Sequence, residues 1–437
     1  MTCLFAQVMY EFKKKKDRKC HWGTLAAYLN VVGGCYMEIY KINRNYFSNI
    51  TQHQKEEMLG GFELDNNGDI VASFTHKGYT CNDLSVNYRK DVMAISVFSG
   101  AGGLDIGTQL AGVKVLSSLD IFSDSVKTLQ KNVFFEGTKH EIGDITKWNG
   151  KDYSSILKKA NPSKLIVIGG PPCQPFSKAG YWVTNEKRNP EEDPRNMLIS
   201  YFELLKDLKP DGFVLENVES IMHPSNQGAV DSIYENMQKL GYNCSLIRTN
   251  AADYGIPQKR KRVFFLASKK KINAKLIKTN GTSNECLKDP SLLPYERVID
   301  WIGAFDKDIY CEGEKLDTQG KWGHELTCIP FGKNYISLSA RESYPEPVFV
   351  AGKRYWSSLL KLHPFLPSWT IIASPGHWEG PFHWTNRRLN VRELAAIQTF
   401  PDDYVFYGSQ SSIRKQIGNA VPPLLGKKVI EELCKWI

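Results

Sequence analysis

Short apolar runs recur along the chain at intervals that predict buried β-strands. The first run, residues 92–98, leads through a glycine cluster into a helical pattern. Similar apolar runs and the helical patterns between them follow at residues 114–119, 165–168, 197–208, 213–215, 230–240 and 263–267. Because strands alternate with helices, we predict an α/β fold with a doubly wound, mostly parallel sheet.

Changes in this rhythm divide the chain into four predicted regions. Residues 1–90 are a mixed N-terminal extension, for which a partly helical structure is predicted, and the doubly wound domain covers residues 91–270. Over residues 271–385 prolines, glycines and aromatic residues replace the alternating pattern, which predicts a smaller irregular or β-rich domain. Residues 386–437 return to helical periodicity.

Some local patterns are specific enough to test. Residues 24–40 look helical, and residues 65–69 have the composition of a turn. Residues 391–397 predict a helix, and residues 411–437 predict a loop followed by a terminal helix.

Composition narrows the class of protein. The formal net charge is +9, which suits a polyanionic partner but equally suits a soluble surface. Ten cysteines are too dilute for a disulfide scaffold, and no Cys-x-x-Cys pair suggests a zinc site. No apolar run reaches the roughly 18 residues of a membrane span. We therefore expect a cytoplasmic protein with no membrane partner and no metal.

The glycine cluster after the first strand is a candidate ligand loop. Glycines in residues 98–107 let the backbone turn tightly and approach a ligand at a helix N-terminus, although a crowded turn is the alternative. Asp120 ends the next strand and Asp144 follows it, so these acids could bind a ribose and an adenine amino group. Either acid could instead cap a helix. The order fits a bound adenosine without separating methyl transfer from hydride transfer.

Cys173 lies in a loop that is rich in residues with restricted backbones. The segment Gly-Gly-Pro-Pro-Cys-Gln-Pro, residues 169–175, follows a predicted strand at the edge where doubly wound sheets bind ligands. A structural cysteine is usually on an apolar face, so this position favours a reactive thiol that attacks as a thiolate.

Several motifs in a fixed order resemble the DNA (cytosine-5) methyltransferases of prokaryotic restriction-modification systems. The resemblance covers residues 91–437. It includes the glycine loop, the Pro-Cys loop, Glu216-Asn217-Val218, Gln258-Lys259-Arg260-Lys261-Arg262, Arg387-Arg388-Leu389 with Arg392-Glu393, Gln398-Thr399-Phe400-Pro401, and Gln416-Ile417-Gly418-Asn419-Ala420-Val421-Pro422-Pro423. Residues 193–196 look like a further block, to which we assign no chemical role.

The resemblance implies a catalytic set and a cofactor. Cys173 would attack C6 of cytosine, Glu216 would hydrogen-bond N3 and the exocyclic amine, and Arg262 would contact O2. Arg260 would contact phosphate or support the site. The implied fold is the class I methyltransferase sheet with one antiparallel strand, completed by the C-terminal motif. S-adenosylmethionine would be bound by Phe98, Ser99, Gly100, Gly102, Gly103, Asp120, Ile121, Asp144, Ile145, Pro172, Asn419 and Val421.

The family keeps its target-recognition domain where residues 271–385 lie. Basic and aromatic side chains there suit phosphate anchoring and groove readout, with a small packed core as the alternative: Lys333, Arg341, Lys353, Arg354, Lys361, Tyr335, Tyr344, Tyr355, Trp356 and Trp369. The expected substrate is a short site in double-stranded DNA. The target base must be flipped out of the duplex to reach the enzyme. A monomer suffices, and a cognate restriction endonuclease is the expected functional partner.

Other interpretations stay open at this stage. The same motifs serve an RNA (tRNA) cytosine methyltransferase, and an inactive DNA-binding regulator could keep the fold. Residues 24–43 could be a helix-turn-helix, but a plain extension, or an upstream start before a natural Met37, fits better.

Overall fold

The structure, a computed structural model, describes residues 38–59, 62–81, 86–172, 197–352 and 355–437. Its strands are β1 Glu38–Ile42, β2 Glu63–Leu64, β3 Ile70–Phe74, β4 Val92–Val97, β5 Lys114–Asp120, β6 Lys139–Ile142, β7 Lys164–Gly169, β8 Gly212–Val218, β9 Asn243–Asn250, β10 Gln258–Lys259, β11 Lys261–Ser268, β12 Asn280–Gly281, β13 Leu293–Pro294 and β14 Ser368–Trp369. Its α-helices are α1 Gln52–Leu59, α2 Gly103–Leu110, α3 Ser123–Lys131, α4 Ser154–Ala160, α5 Leu198–Leu208, α6 Gln227–Lys239, α7 Ser283–Lys288, α8 Ile299–Ile302, α9 Asp308–Cys311, α10 Gly323–Thr327, α11 Val391–Ile397, α12 Gln410–Asn419 and α13 Pro423–Leu433. None of the helices in these ranges has the length and apolar character needed to cross a membrane.

Seven strands form the central sheet in the order β6-β5-β4-β7-β8-β11-β9. Strand β11 runs antiparallel to both β8 and β9, and the neighbours from β6 to β8 pair in parallel. The predicted doubly wound, mostly parallel sheet is confirmed, together with the single antiparallel strand that the resemblance implies.

Apolar cores cover both faces of the sheet because successive side chains of each strand point to opposite faces. Ala94 of β4 packs in one core with Leu425 and Val429 of α13. The next residue, Ile95, packs in the other core with Leu204 of α5. A strand buried on both faces is apolar at consecutive positions, which is the pattern that made β4 recognisable in the sequence.

Residues 38–81 form a small antiparallel sheet in the order β1-β3-β2, accompanied by α1. Ile70 and Phe74 of β3 share one apolar core with Trp384 and Phe400. The predicted turn is confirmed, since the Gly68 backbone N–H donates to the Asp65 carbonyl at 2.9 Å. The helical pattern expected over residues 24–40 lies mostly outside the described residues, and its described end is strand β1 instead.

The described part of residues 271–385 is irregular. It contains helices of four to six residues and strands of two residues, joined by long loops. Of the two descriptions that the sequence left open, irregular and β-rich, the irregular one fits. Its own core gathers Leu326, Ile329, Leu338 and Leu359 around Phe382.

The C-terminal region contains more helix than its sequence predicts. Helix α11 is confirmed over Val391–Ile397, but the loop expected from residue 411 is wrong, because α12 covers Gln410–Asn419. Ser409 caps this helix by accepting a hydrogen bond from the Ser412 backbone N–H at 3.2 Å. Helix α13 then packs against α2, next to the glycine cluster.

Candidate active site

The carboxyl ends of β4, β5, β7 and β8 meet at one edge of the sheet, where the candidate site lies. The chain leaves β4 towards β5 on one side, whereas β7 lies on its other side, so the strand order reverses at β4. Such a switch point opens a crevice between the loops that follow the strands. The glycine loop follows β4, Asp120 ends β5, and the loop that contains the Pro-Cys motif follows β7.

The loop after β4 requires glycine at specific positions. Phe98, Gly100 and Gly102 have φ values of 54°, 53° and 81°, in the left-handed region that favours glycine. A Cβ at Gly100 would meet no atom within 4 Å, so the backbone there faces open space. A Cβ at Gly102 would instead collide with the Leu129 side chain. The loop therefore exposes Gly100 and packs Gly102 inward.

Asp120 holds this loop from the end of β5. Its Oδ2 accepts the Gly100 backbone N–H at 2.7 Å, and its Oδ1 accepts the Phe122 backbone N–H at 2.8 Å. Burial raises the pKa of Asp120, and the backbone hydrogen bonds oppose that shift. An ionised carboxylate has about four acceptor sites, so the predicted contact to a ribose hydroxyl remains compatible with these bonds.

Apolar side chains flank Asp120 at the mouth of the crevice. Ile121 is 59% exposed and Phe122 is 56% exposed. The Lys415 Nζ lies 4.4 Å from the centroid of the Phe122 ring. Ile121 was predicted from the sequence but Phe122 was not; its signal was an apolar residue at the point where the strand has already ended.

Asp144 caps a short helical turn, which was the alternative reading of this acid. Its Oδ1 accepts the Thr146 backbone N–H at 3.0 Å and the Thr146 hydroxyl at 2.8 Å. These hydrogen bonds hold the pKa of Asp144 below its usual range. Ile145 is buried in the core beneath the turn. The predicted adenine contact of Asp144 stays a prediction.

Glu216 and Arg262 form an ion pair at the carboxyl end of β8. Arg262 Nε lies 2.8 Å from Glu216 Oε1, and both side chains are about one-eighth exposed, at 13% and 12%. Burial raises the pKa of Glu216, whereas the charges of Arg262 and Arg260 oppose that shift. The pair brings together two of the predicted catalytic residues and leaves part of each accessible to a ligand.

The loop after β7 passes directly over this carboxylate. A Cβ at Gly170 would lie 2.8 Å from Glu216 Oε2, so only glycine allows the approach. Pro172, which is exposed, is the last described residue before Cys173. Cys173 and the block at residues 193–196 lie outside the described residues, so the structure gives no position for the predicted nucleophile.

Arg260 is fully buried behind the ion pair. It donates to the Ile371 carbonyl at 3.3 Å and to the Gly418 carbonyl at 2.7 Å. A side chain with no exposed surface does not reach a DNA phosphate, so these contacts favour support of the site over the phosphate contact. Arg260 joins the sheet to residues 271–385 and to the C-terminal motif.

Buried glutamines run beside Arg260. Gln258 Nε2 donates to Gln398 Oε1 at 2.9 Å, and Gln398 Nε2 donates to the Ile417 carbonyl at 2.6 Å. Gln258 Oε1 accepts the Ile371 backbone N–H at 3.1 Å. Three motifs that are far apart in sequence are therefore linked by side-chain amides, a role that the sequence did not indicate.

The C-terminal motif packs directly on the glycine loop. A Cβ at Gly103 would overlap the Val421 carbonyl oxygen, and a Cβ at Gly107 would lie 2.5 Å from the Pro423 carbonyl oxygen. Asn419 is exposed nearby at the end of α12. The Tyr404 hydroxyl donates to the Ala101 carbonyl at 2.7 Å, a contact that the sequence analysis missed because a tyrosine carries no distinctive signal there.

The basic and aromatic residues of residues 271–385 divide into surface and core. Lys333 and Arg341 are exposed and line a cleft of about 400 Å³ with Trp356. Lys361 is fully buried and donates to the Ile329 carbonyl at 2.5 Å, so the expected phosphate contact is wrong for this residue. Lys353 and Arg354 lie outside the described residues.

One cluster among the described residues has the donor set of a metal site. Ligand atoms of Asp306, His383 and Glu393 lie within 4.8 Å of one another. Arg387, however, donates to both carboxylates, at 2.5 Å to Asp306 and at 2.6 and 2.8 Å to Glu393. The guanidinium already pairs with both carboxylates, which makes this cluster an ion-pair network.

Comparisons with known proteins identify the family of this chain. A sequence profile of the family described as C-5 cytosine-specific DNA methylase matches residues 92–435. The type II methyltransferase M.SacI of Streptomyces achromogenes is 33% identical over 374 residues, which cover 79% of this chain and 94% of the relative. The type II methyltransferase M1.HphI of Haemophilus parahaemolyticus is 33% identical over 356 residues, covering 80% and 88%.

A solved structure gives the same fold. It is described as a DNA modification methyltransferase encoded within a prophage in E. coli, and it matches with a TM-score of 0.53 at 23% identity. The match covers 79% of this chain and 99% of that chain. The shared part is thus nearly the whole of the solved protein.

Proposed function

The chain belongs to the family of C-5 cytosine-specific DNA methylases, and on that premise we propose that it methylates cytosine in duplex DNA through a covalent bond to Cys173, with S-adenosylmethionine as methyl donor. As a member, it is a DNA cytosine-5 methyltransferase. The observation that carries the mechanism is the Glu216–Arg262 ion pair, which lies against Gly170 in the loop that leads to Cys173.

The residues at the edge of β4 and β5 fit S-adenosylmethionine. The open space at Gly100 accepts a ligand close to the backbone, and the exposed Ile121 and Phe122 offer apolar surface for a flat base. Asp120 supplies a carboxylate for ribose hydroxyls. Phe98, Ser99, Gly102 and Gly103, with Pro172, Asn419 and Val421, would complete the binding site, as the resemblance implies. When bound, this cofactor supplies an electrophilic methyl group.

Cys173 supplies the nucleophile that makes cytosine reactive. Its thiolate forms a bond to C6, and the electron pair of the C5–C6 double bond moves into the ring to give an enamine. C5 of this enamine is nucleophilic and takes the methyl group. Loss of the proton from C5 and of the thiolate from C6 then restores the double bond, so the enzyme emerges unchanged.

Glu216 and Arg262 stabilise the charge that develops during the attack. Because burial raises the pKa of Glu216, its carboxyl group is suited to hold a proton at N3 as the ring gains electrons. Arg262 holds that carboxyl in place through its Nε, and its guanidinium would contact O2 of the base, as the resemblance implies. Removing either residue leaves the charge that develops on the ring without this stabilisation.

We infer from the relatives that the substrate is a specific duplex site. M.SacI and M1.HphI are named as type II methyltransferases, which favours DNA over tRNA and makes a cognate restriction endonuclease the expected functional partner. The target base must leave the helix to reach a crevice at the edge of the sheet. The exposed Lys333 and Arg341 are candidates for phosphate contacts during that step.

A direct test follows the label and the nucleophile. Purified protein should transfer radiolabelled methyl from S-adenosylmethionine to duplex DNA, and Cys173→Ser should reduce turnover by roughly three orders of magnitude or more. Bisulfite sequencing of DNA from cells that express the protein identifies the methylated cytosine. Transfer to tRNA alone would overturn the assignment of substrate, and full activity of Cys173→Ser would overturn the mechanism.

A further inference from the structure

Residues 76–81, which we term the N-terminal strap, lie outside the segment that matches the family, residues 92–435. They nevertheless contact the loop that follows α11, residues 399–404, here called the α11 loop. Tyr79 donates its hydroxyl to the Thr399 carbonyl at 2.8 Å, and its own carbonyl accepts the Asp402 backbone N–H at 2.7 Å. The strap and the α11 loop are therefore paired through both side chain and backbone.

Two further contacts fix the direction of the strap. His76 Nε2 lies 2.7 Å from Asp402 Oδ2, and the Cys81 backbone N–H donates to Asp403 Oδ1 at 2.8 Å. A Cβ at Gly78 would overlap both the Asp402 carboxylate and the His76 ring. The strap thus approaches Asp402 as closely as a backbone without a side chain permits.

The far end of the α11 loop contacts the cofactor loop. Tyr404 donates to the carbonyl of Ala101, between the glycines that the proposed function assigns to cofactor binding. Tyr404 and Ala101 belong to one core that also contains Phe74 from β3. Thr399, at the near end, has a φ of 60° and accepts the Leu424 backbone N–H at 3.3 Å. The α11 loop therefore touches the glycine loop and the C-terminal helix together.

We propose that the N-terminal strap positions the cofactor site by holding the α11 loop against Ala101. Its residues touch no reacting atom, so they are positioning residues. The inference rests on the proposed function, because it assumes that residues 98–103 bind the cofactor. It predicts that this enzyme needs residues N-terminal to its family segment for cofactor affinity, and not only for stability.

The test compares cofactor binding with DNA binding in the full chain. A double variant, His76→Ala with Tyr79→Phe, removes two hydrogen bonds to the α11 loop without altering the glycine loop. We expect the Kd for S-adenosylhomocysteine, measured by calorimetry without DNA, to rise about tenfold, the effect of one to two net hydrogen bonds. The KM for S-adenosylmethionine should rise in parallel, whereas the KM for DNA stays within about twofold.

Matched variants separate positioning from general loss of structure. Lys77→Ala lies in the same strap but breaks an ion pair to Glu296, away from the α11 loop, and should leave the Kd unchanged. His76→Gln keeps a side-chain N–H for Asp402. Its affinity for S-adenosylhomocysteine should therefore be close to that of wild type, unlike a variant with alanine at position 76. If the double variant folds poorly, Tyr79→Phe alone, which removes a single hydroxyl, should still raise the Kd about threefold.

The outcomes distinguish this inference from the proposed function. Wild-type protein that binds no S-adenosylhomocysteine would overturn the proposed function, and the inference with it. Equal Kd values for S-adenosylhomocysteine in wild-type protein, Tyr79→Phe and the double variant would overturn the inference alone. An equal loss of cofactor and DNA affinity, without rescue by His76→Gln, would also overturn it.

Discussion

Lys361 shows how far a single residue can depart from what its type suggests. Its ammonium group is fully buried in the core around Phe382, and the Ile329 carbonyl accepts its hydrogen bond. Burial lowers the pKa of Lys361 to about 7, while the nearby Cys328 opposes the shift. The sequence does not show which side chains are buried. A lysine among predicted loops was therefore interpreted as a phosphate contact.

The Lys361 pKa predicts how the free energy of unfolding depends on pH. From pH 7 towards the ordinary lysine pKa of 10.5, the unfolded chain binds a proton at Lys361 that the folded chain does not. As the pH rises over this range, the free energy of unfolding of wild-type protein should therefore increase relative to that of Lys361→Met, by up to about 1.4 kcal/mol per pH unit. Below pH 7 the difference should be constant. Urea unfolding of both proteins at pH 6, 7, 8 and 9 checks this, and parallel curves would contradict a buried, titrating lysine.

The sequence predicted the site residues whose roles depend on chemistry more than on packing. Glu216 and Arg262 were singled out by their motifs, and the fold brings them to 2.8 Å. For Arg260 the sequence left phosphate contact and support open, and its full burial favours support. A motif gives the residue type and spacing, but which side of a strand end faces solvent depends on the elements packed there.

At the scale of elements, the glycine loop needs glycine for two different reasons. Gly100 needs a positive φ and open space, whereas Gly103 needs room for the Val421 carbonyl. The first demand concerns the ligand, and the second concerns the docking of the C-terminal motif. Substitution by alanine should therefore have different consequences at the two positions.

Gly100→Ala should fold, but its free energy of unfolding should fall by about 1 kcal/mol because alanine must adopt a left-handed conformation. It should also bind S-adenosylhomocysteine much more weakly. Gly103→Ala should cost more stability, about 1–3 kcal/mol, because residues near Val421 must move. Thermal unfolding and calorimetry on both variants separate the effects. Equal stability loss in the two variants would argue against the packing described for Gly103.

Strands were predictable from the sequence where both of their faces are buried. Strands β4, β5, β7, β8 and β11 lie inside the sheet, and their apolar runs were recognised. The edge strands β6 and β9 were missed, because their exposed faces carry polar residues and the apolar run disappears. The sheet of residues 38–81 was missed for a similar reason, since its short strands bury side chains only against distant parts of the chain.

At the scale of the whole molecule, Arg260 connects three parts of the chain. Its guanidinium binds carbonyl groups of Ile371 and Gly418, so the sheet, the irregular region and the C-terminal motif meet at one side chain. The burial of its charge lowers the pKa of Arg260, and the nearby Glu216 charge opposes that shift. This arrangement predicts a large effect on stability and a smaller one on chemistry.

Arg260→Met should lower the free energy of unfolding by about 2–4 kcal/mol, because two buried carbonyl groups lose their donor. Arg262→Met, at the partly exposed ion pair, is the matched control: it should keep most of the stability and lose nearly all turnover. Urea unfolding and turnover per folded molecule measure the two effects. A stable but inactive Arg260→Met would show that Arg260 acts in catalysis instead.

The contact between Tyr404 and Ala101 joins residues 303 positions apart in sequence. On the ribosome, the glycine loop therefore emerges long before the hydroxyl that holds it has been synthesised. Contacts of such separation form late in folding, after the entropy of closing a long loop has been overcome. A nascent chain that stops short of residue 404 contains the glycine loop but lacks the hydroxyl group that holds it.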